Sequence, residues 1–197
     1  MKNTTSLTRG HGLLESFLSK KRAQKANSLI IDSKRDGKIL DIGCGSYPYF
    51  LLNTNFKEKY GIDPSLKVSN LKNIELSKLD FPKSQLPFKD NFFDNITMLA
   101  VFEHIERVKL NLVLAEIKRV LKKDGIIVIT TPAPWADKIL HNMARIGLIS
   151  SEEIHDHKTH YDMKEIIDLF RQAGYKNENI RSGYFELFMN MWFIVSK

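Results

Sequence analysis

Three aspartates, each standing where an apolar run gives way to polar residues, are the places where chemistry could gather in this chain. Asp41 lies in "KILDIGCGSYPYF" (38–50), Asp63 in "KYGIDPS" and Asp80 in "IELSKLDFP". Asp41 opens a D-x-G-x-G turn with Gly43 and Gly45. Two glycines leave the backbone bare, so a ligand can lie directly against it, and they tolerate dihedrals other residues resist. A dinucleotide turn would want a third glycine where Pro48 stands, and proline has no N–H to offer a pyrophosphate. No G-x-x-x-x-G-K-[ST] phosphate loop occurs either. The turn therefore suits a cofactor without phosphates, and an NAD-linked oxidoreductase is disfavoured. A carboxylate at Asp63 presents two acceptors to the two hydroxyls of a ribose. Asp80 can accept from an exocyclic adenine amine, with Leu79 and Phe81 flanking a flat ring. A helix cap or a ligand-free turn would account for any one of these residues. Together, on successive strand ends, they point to a nucleoside-bearing cofactor.

The elements that must position them read as alternating strands and helices. "KILDI", "KYGID", "IELSKLD", "FDNITMLAV" and "IIVITTP" are strand candidates, and the tail "NIRSGYFELFMNMWFIVSK" offers one or two more. Residues 12–31 carry Leu14, Phe17, Leu18, Ala26 and Leu29 at helical spacing, broken by the basic cluster "SKKRAQK". A second helix, 108–121, aligns Val113, Ile117, Val120 and Leu121 and is closed by the turn "KKDG". A third, 163–173, aligns Met163, Ile166, Ile167, Phe170 and Ala173, with Gly174 at C′. Strands alternating with helices imply a parallel sheet covered on both faces, with an antiparallel hairpin at one edge. Ligands of such sheets bind beyond the carboxyl ends of the strands.

The ordered motifs resemble the class I S-adenosylmethionine-dependent methyltransferases, particularly the small-molecule group called type 11. "ILDIGCGS" is similar to that family's first motif, "GIDPS" to its second-strand acid and "KLDFPKSQLPFKDNFFDNITMLAVFEHI" to its central block. "EIKRVLKKDGIIVITTP" is similar to the helix, turn and strand that follow. The resemblance implies a Rossmann-like doubly wound α/β fold, with a mostly parallel seven-stranded sheet, an antiparallel edge hairpin and helices on both faces. It implies S-adenosyl-L-methionine as cofactor, with Asp41, Gly43 and Gly45 at its methionine end, Asp63 at the ribose and Asp80 with Phe81 at the adenine. Leu99 and Ala100 would run along the methionyl arm. Tyr47 replaces the family's frequent third glycine. Residues 1–36 are expected as a basic helical leader packed on the domain formed by 37–197, with 132–162 as the substrate side.

His104, in "FEHI", is the candidate base, although a helix-start residue bonded to backbone would look the same. Tyr47, Trp135 and His157 are candidates for the acceptor side; Trp135, Met143 and Ile146 could line an apolar pocket or belong to the core. His157 and Tyr161 match an H-x-x-x-[FY] pattern that precedes the corresponding family helix. The trio His155, His157 and His160 invites a metal reading, but no cysteine is near and Asp156 is the only intervening acid, so no metal is expected.

The first 38 residues hold nine Lys/Arg against three acids, whereas residues 39–197 hold 21 against 20. The basic excess is a solvated helix face or a patch for an anionic partner, a membrane surface included. No apolar run approaches the roughly 18 residues that span a bilayer, and the first residues lack the apolar core of a secretory signal. One cysteine, Cys44, cannot pair internally, so a reducing cytoplasm is the expected setting. The reading is methyl transfer to a small-molecule or glycan/lipid-linked acceptor, with oxygen favoured because a histidine base suits a hydroxyl. RNA methylation is the second enzymatic reading, weakened by the lack of an N-P-P-[YF] motif and of aromatics interleaved with the basic run. A non-catalytic cofactor-binding regulator is the third, and the chain is expected as a monomer or homodimer.

Overall fold

Runs such as "IIVIT" become parallel strands because burial on both faces rewards continuous Ile and Val. The computed structural model describes residues 15–67, 71–136 and 161–197. Its strands are β1 (Lys38–Ile42), β2 (Glu58–Ile62), β3 (Ile74–Ser77), β4 (Phe93–Leu99), β5 (Leu121–Pro132), β6 (Ile180–Phe185) and β7 (Asn190–Ser196). They form one seven-stranded sheet in the order β3-β2-β1-β4-β5-β7-β6. β1 to β5 run parallel, and β7 lies antiparallel between β5 and β6. The chain reverses direction across the sheet at β1, whose neighbours are β2 and β4, and that is where such sheets open a crevice.

Alternate residues of each strand feed two cores. Leu40, Ile42, Ile96, Met98, Ile127, Ile129 and Phe193 pack with helices α3 (Leu110–Val120) and α4 (Met163–Gln172). Ile39, Ile126 and Val128 pack on the other face with helix α1 (Glu15–Leu29). α1 keeps Ala26 of the apolar stripe expected of it and departs from that stripe at Phe17. It buries Ala23 and Ala26, followed by Ile30, and leaves Phe17 53% exposed. Two alanines let the helix lie close to the strands, a packing that a search for large side chains misses; Leu14 lies outside the described residues.

α3 and α4 follow their expected faces. α4 starts with a capping box between Asp162 and Glu165 and ends before Gly174, which has φ +80°. α2 (Tyr49–Leu52) is a single turn with Pro48 as its N-cap. β3 is shorter than expected. It pairs with β2 only as far as Ile62↔Ser77, so Asp80 stands in the following loop and not on the strand end. β5 starts at Leu121, pairs once with Phe93 and resumes at Asn95↔Ile126, and Lys122–Gly125 bulge out between.

Candidate functional site

The turn after β1 is held from β2. The N–H groups of Gly43 and Cys44 both donate to the Ile62 carbonyl, at 2.8 and 3.2 Å. Gly43 has φ +76°, and a Cβ there would stand 2.3 Å from Val101 Cγ2. Gly45, at φ +80°, donates its N–H to Asp63 Oδ2 at 3.0 Å. Asp63 Oδ1 accepts the Ser65 N–H at 2.7 Å and the Ser65 hydroxyl. Asp63, only 3% exposed, therefore latches the glycine turn to the end of β2. Its carboxylate already serves its own loop, so a ribose would share it with Ser65. Beside the latch, the Ser46 hydroxyl is buried and has no hydrogen-bond partner among the described residues.

Asp41 lies beneath the turn, 3% exposed, and accepts the Thr97 hydroxyl from β4 at 2.6 Å. Burial pushes its carboxyl up to about 7, against the Thr97 hydrogen bond and with the help of the nearby negative charge of Asp63. Burial also pushes the Cys44 thiol well above its ordinary value, with Asp41 and Asp63 adding to the effect. That thiol is inert at neutral pH.

The end of β4 completes the turn's surroundings. Leu99 and Ala100 are half-buried; Ala100 has φ +57°, and its N–H donates to the Thr130 carbonyl of β5 at 2.9 Å. A left-handed alanine is strained, and such strain gathers where a backbone must pass a ligand or a tight contact. Val101 then packs against Gly43. The 3-10 turn Phe102–His104 follows, with the His104 N–H on the Val101 carbonyl at 3.0 Å and the residue half-buried. Glu103 is 4% exposed and accepts the Thr131 hydroxyl at 3.2 Å, and the neighbouring Thr130 hydroxyl has no partner among the described residues.

Asp41, Gly43, Gly45, Asp63, Leu99 and Ala100 thus cluster around the carboxyl end of β1. Asp80 lies two strands away, its Oδ2 paired with Lys83 Nζ at 2.6 Å and its carbonyl on the Ser84 N–H. Phe81 and Leu79 pack partly exposed against the larger core. Tyr47 is half-buried, and Trp135 is 48% exposed just past β5. Tyr161 is 2% exposed and meets Phe102 edge-on at 5.7 Å, a packing role. His155, His157, His160, Met143 and Ile146, with most of the expected substrate segment, lie outside the described residues.

Ser46, Ser65, Thr97 and Glu103 escaped sequence reasoning. Thr97 carried a legible signal, a lone hydroxyl inside an apolar strand that must find a buried partner. Ser46 lay inside the quoted stretch but looked like an ordinary turn residue. Among the described residues no helix is long and apolar enough to cross a membrane, and no three His, Cys, Asp or Glu side chains gather as metal ligands do.

A family model described as a methyltransferase domain matches residues 14–180. An uncharacterized protein of Methanocaldococcus jannaschii is 30% identical over 154 residues, covering 78% of this chain and 61% of that protein. The ubiquinone/menaquinone biosynthesis C-methyltransferase of Campylobacter jejuni is 31% identical over 122 residues, covering 56% of this chain and 50% of that enzyme. The chain therefore spans between half and about three fifths of the length of these curated relatives. An S-adenosylmethionine-dependent methyltransferase from Mesorhizobium loti shares the fold, with a TM-score of 0.67 at 15% identity over 91% of this chain and 100% of that one.

Proposed function

Because the chain belongs to the methyltransferase-domain family, we propose that it transfers a methyl group from S-adenosylmethionine to a small-molecule or glycan/lipid-linked acceptor. The observation that carries this reading is the cradle after β1. Bare backbone at Gly45, a buried Ser46 hydroxyl without a partner among the described residues and the carboxylates of Asp41 and Asp63 make the turn a polar cradle suited to a cofactor without phosphates. These residues fit the cofactor. In this reading Asp41 and the Gly43–Ser46 turn hold the methionine end, and Leu99 and Ala100 lie along its arm. Asp63 shares its outer lone pairs between Ser65 and the ribose, and Phe81 with Asp80 borders the adenine. Asp80 must exchange or share Lys83 to do so.

The bound sulfonium supplies an activated methyl group for in-line displacement. The chain's own part is to hold the acceptor in line and keep water out, a positioning effect of up to about 7–11 kcal/mol in favourable cases. A proton must leave only if the acceptor is a hydroxyl. His104, just past β4, is the group proposed to take it, worth roughly 10²–10⁴-fold. Transfer to oxygen is the first reading. The relative named as a C-methyltransferase favours carbon as the second. Residues 1–36 are proposed as a leader packed on the domain, and 132–162 as its substrate side.

Calorimetry tests the cofactor first. S-adenosylmethionine and its demethylated product should bind, and Asp63→Ala should abolish binding; undiminished affinity in that variant removes the ribose assignment. Binding of NADH instead would overturn the reading. Transfer of labelled methyl to cell extract, fractionated into RNA, lipid and small-molecule pools, then identifies the acceptor class. If His104→Ala keeps its full rate, the proton goes elsewhere.

A further inference from the structure

The reversed direction of β7 brings a second feature to the same edge of the sheet as the cradle. Asn190 pairs with Pro132 at the end of β5, and the Ala133 N–H donates to the Met189 carbonyl at 2.8 Å. The β6–β7 turn, 186–189, therefore stands at the carboxyl ends of the parallel strands. The tip of this turn is apolar and exposed, with Leu187 at 87%, Phe188 at 67% and Tyr184, beside Phe188, at 43%. Glu186, Leu187 and Phe188 hold φ of 52, 54 and 67° in succession. Each left-handed residue costs about 1–2 kcal/mol. A strained turn that presents Leu and Phe to solvent is a poor solution for folding alone, and such outliers motivate a search for function.

The cationic half of α1 adjoins the tip. α1 runs against the parallel strands, which puts its first turns at this edge. Burial raises the Glu186 carboxyl, and Arg22 and Lys21 stand close enough to oppose that rise. Lys21 Nζ lies 5.4 Å from the centroid of the exposed Phe17 ring, and Lys25 Nζ lies 4.6 Å from that of Trp192. Lys20 and Lys21 are exposed.

We infer that the 186–189 tip and the first turns of α1 form a docking surface for an anionic lipid membrane, which delivers a membrane-borne amphiphilic acceptor to the rim of the cradle. Leu187, Phe188 and Phe17 enter the headgroup–acyl boundary, and Lys20, Lys21 and Arg22 lie against the anionic headgroups. Three exposed apolar anchors flanked by the cations of α1 fit this interface. Nucleic acid would leave Leu187 without a partner. The location of the acceptor rests on the methyltransferase reading; the docking surface itself does not.

The test is sedimentation of the full chain with vesicles of phosphatidylcholine alone and of equal parts phosphatidylglycerol and phosphatidylcholine, without any methyl donor. The chain should pellet with the anionic vesicles and remain in solution with the neutral ones. Leu187→Ser/Phe188→Ser should weaken anionic binding by roughly a hundredfold. Lys20→Glu/Lys21→Glu should weaken it by at least about tenfold. Both variants should melt like the parent and keep its calorimetric affinity for S-adenosylmethionine. Failure to pellet with either vesicle overturns the surface, as does a tip variant that pellets like the parent. A dimer seen by light scattering and lost in the tip variant would assign the patch to a second copy and overturn it too. Tighter binding to an RNA oligonucleotide than to vesicles, unaffected by the tip variant, would do the same. If pelleting holds while S-adenosylmethionine does not bind, the methyltransferase reading falls and the docking surface stands.

Discussion

Asp41 is the residue on which folding and function pull in opposite directions. Its carboxyl, raised from 3.8 to about 7 by burial, holds a proton in the folded chain that the unfolded chain releases between about pH 4 and 7. Stability is therefore lost as pH rises through that window, by on the order of 4 kcal/mol above it. Asn at this position can still accept the Thr97 hydroxyl without ionising. Asp41→Asn is expected to raise stability at pH 8 by up to about 4 kcal/mol, read as a higher melting temperature, and to leave it nearly unchanged at pH 4.5. An equal shift at both pH values would show that the ionised carboxylate carries no such cost. In the proposed function the same charge faces the cationic end of the cofactor. Affinity for S-adenosylmethionine should then rise between pH 5 and 8 in the parent and stay flat in Asp41→Asn, as read by calorimetry.

Between elements, the central block "LPFKDNFFD" works as a joint. Tyr60, Phe88, Phe92 and Phe93 pack ring to ring at centroid distances of 4.7–5.9 Å. Asp94 accepts the Lys38 N–H at the start of β1 and Lys122 Nζ from the bulge of β5. Arg119 of α3 donates to the carbonyls of Phe88 and Leu86 and to the carboxylates of Asp90 and Glu116. Glu116 in turn accepts the Leu86 N–H. Arg119→Ala should cost about 1–3 kcal/mol, discounted for a side chain one third exposed, and lower the urea midpoint. Arg119→Lys should recover little, since an ammonium cannot reproduce the fork. A Lys variant with parental stability would show that the fork contributes nothing.

At the scale of the whole molecule, the sheet was legible in the sequence and some of its details were not. Continuous β-branched runs such as "IIVIT" suit strands buried on both faces, and their alternation with helices implies a parallel sheet. The end of β3 was hidden because pairing sets it. β2 turns away at Asp63–Pro64, so Leu79 and Asp80 have no strand to follow. Of the buried face of α1, Ala26 was legible and Ala23 was hidden, because alanine carries little weight in an apolar pattern. In the site, the residue types of the D-x-G-x-G turn could be read, but the partners of Asp63 and Asp41 depend on three strands meeting. The assembled sheet gathers its reactive groups along one border and leaves the other idle. Lys123, in the β5 bulge, is exposed on that idle border, where the Lys197 N–H closes onto the Gly125 carbonyl. With Cys44 buried and its thiol protonated, Lys123→Cys would give the molecule a single reactive handle. A dye or surface tether attached there reports on binding from the far side, with the cradle and the hairpin tip left untouched.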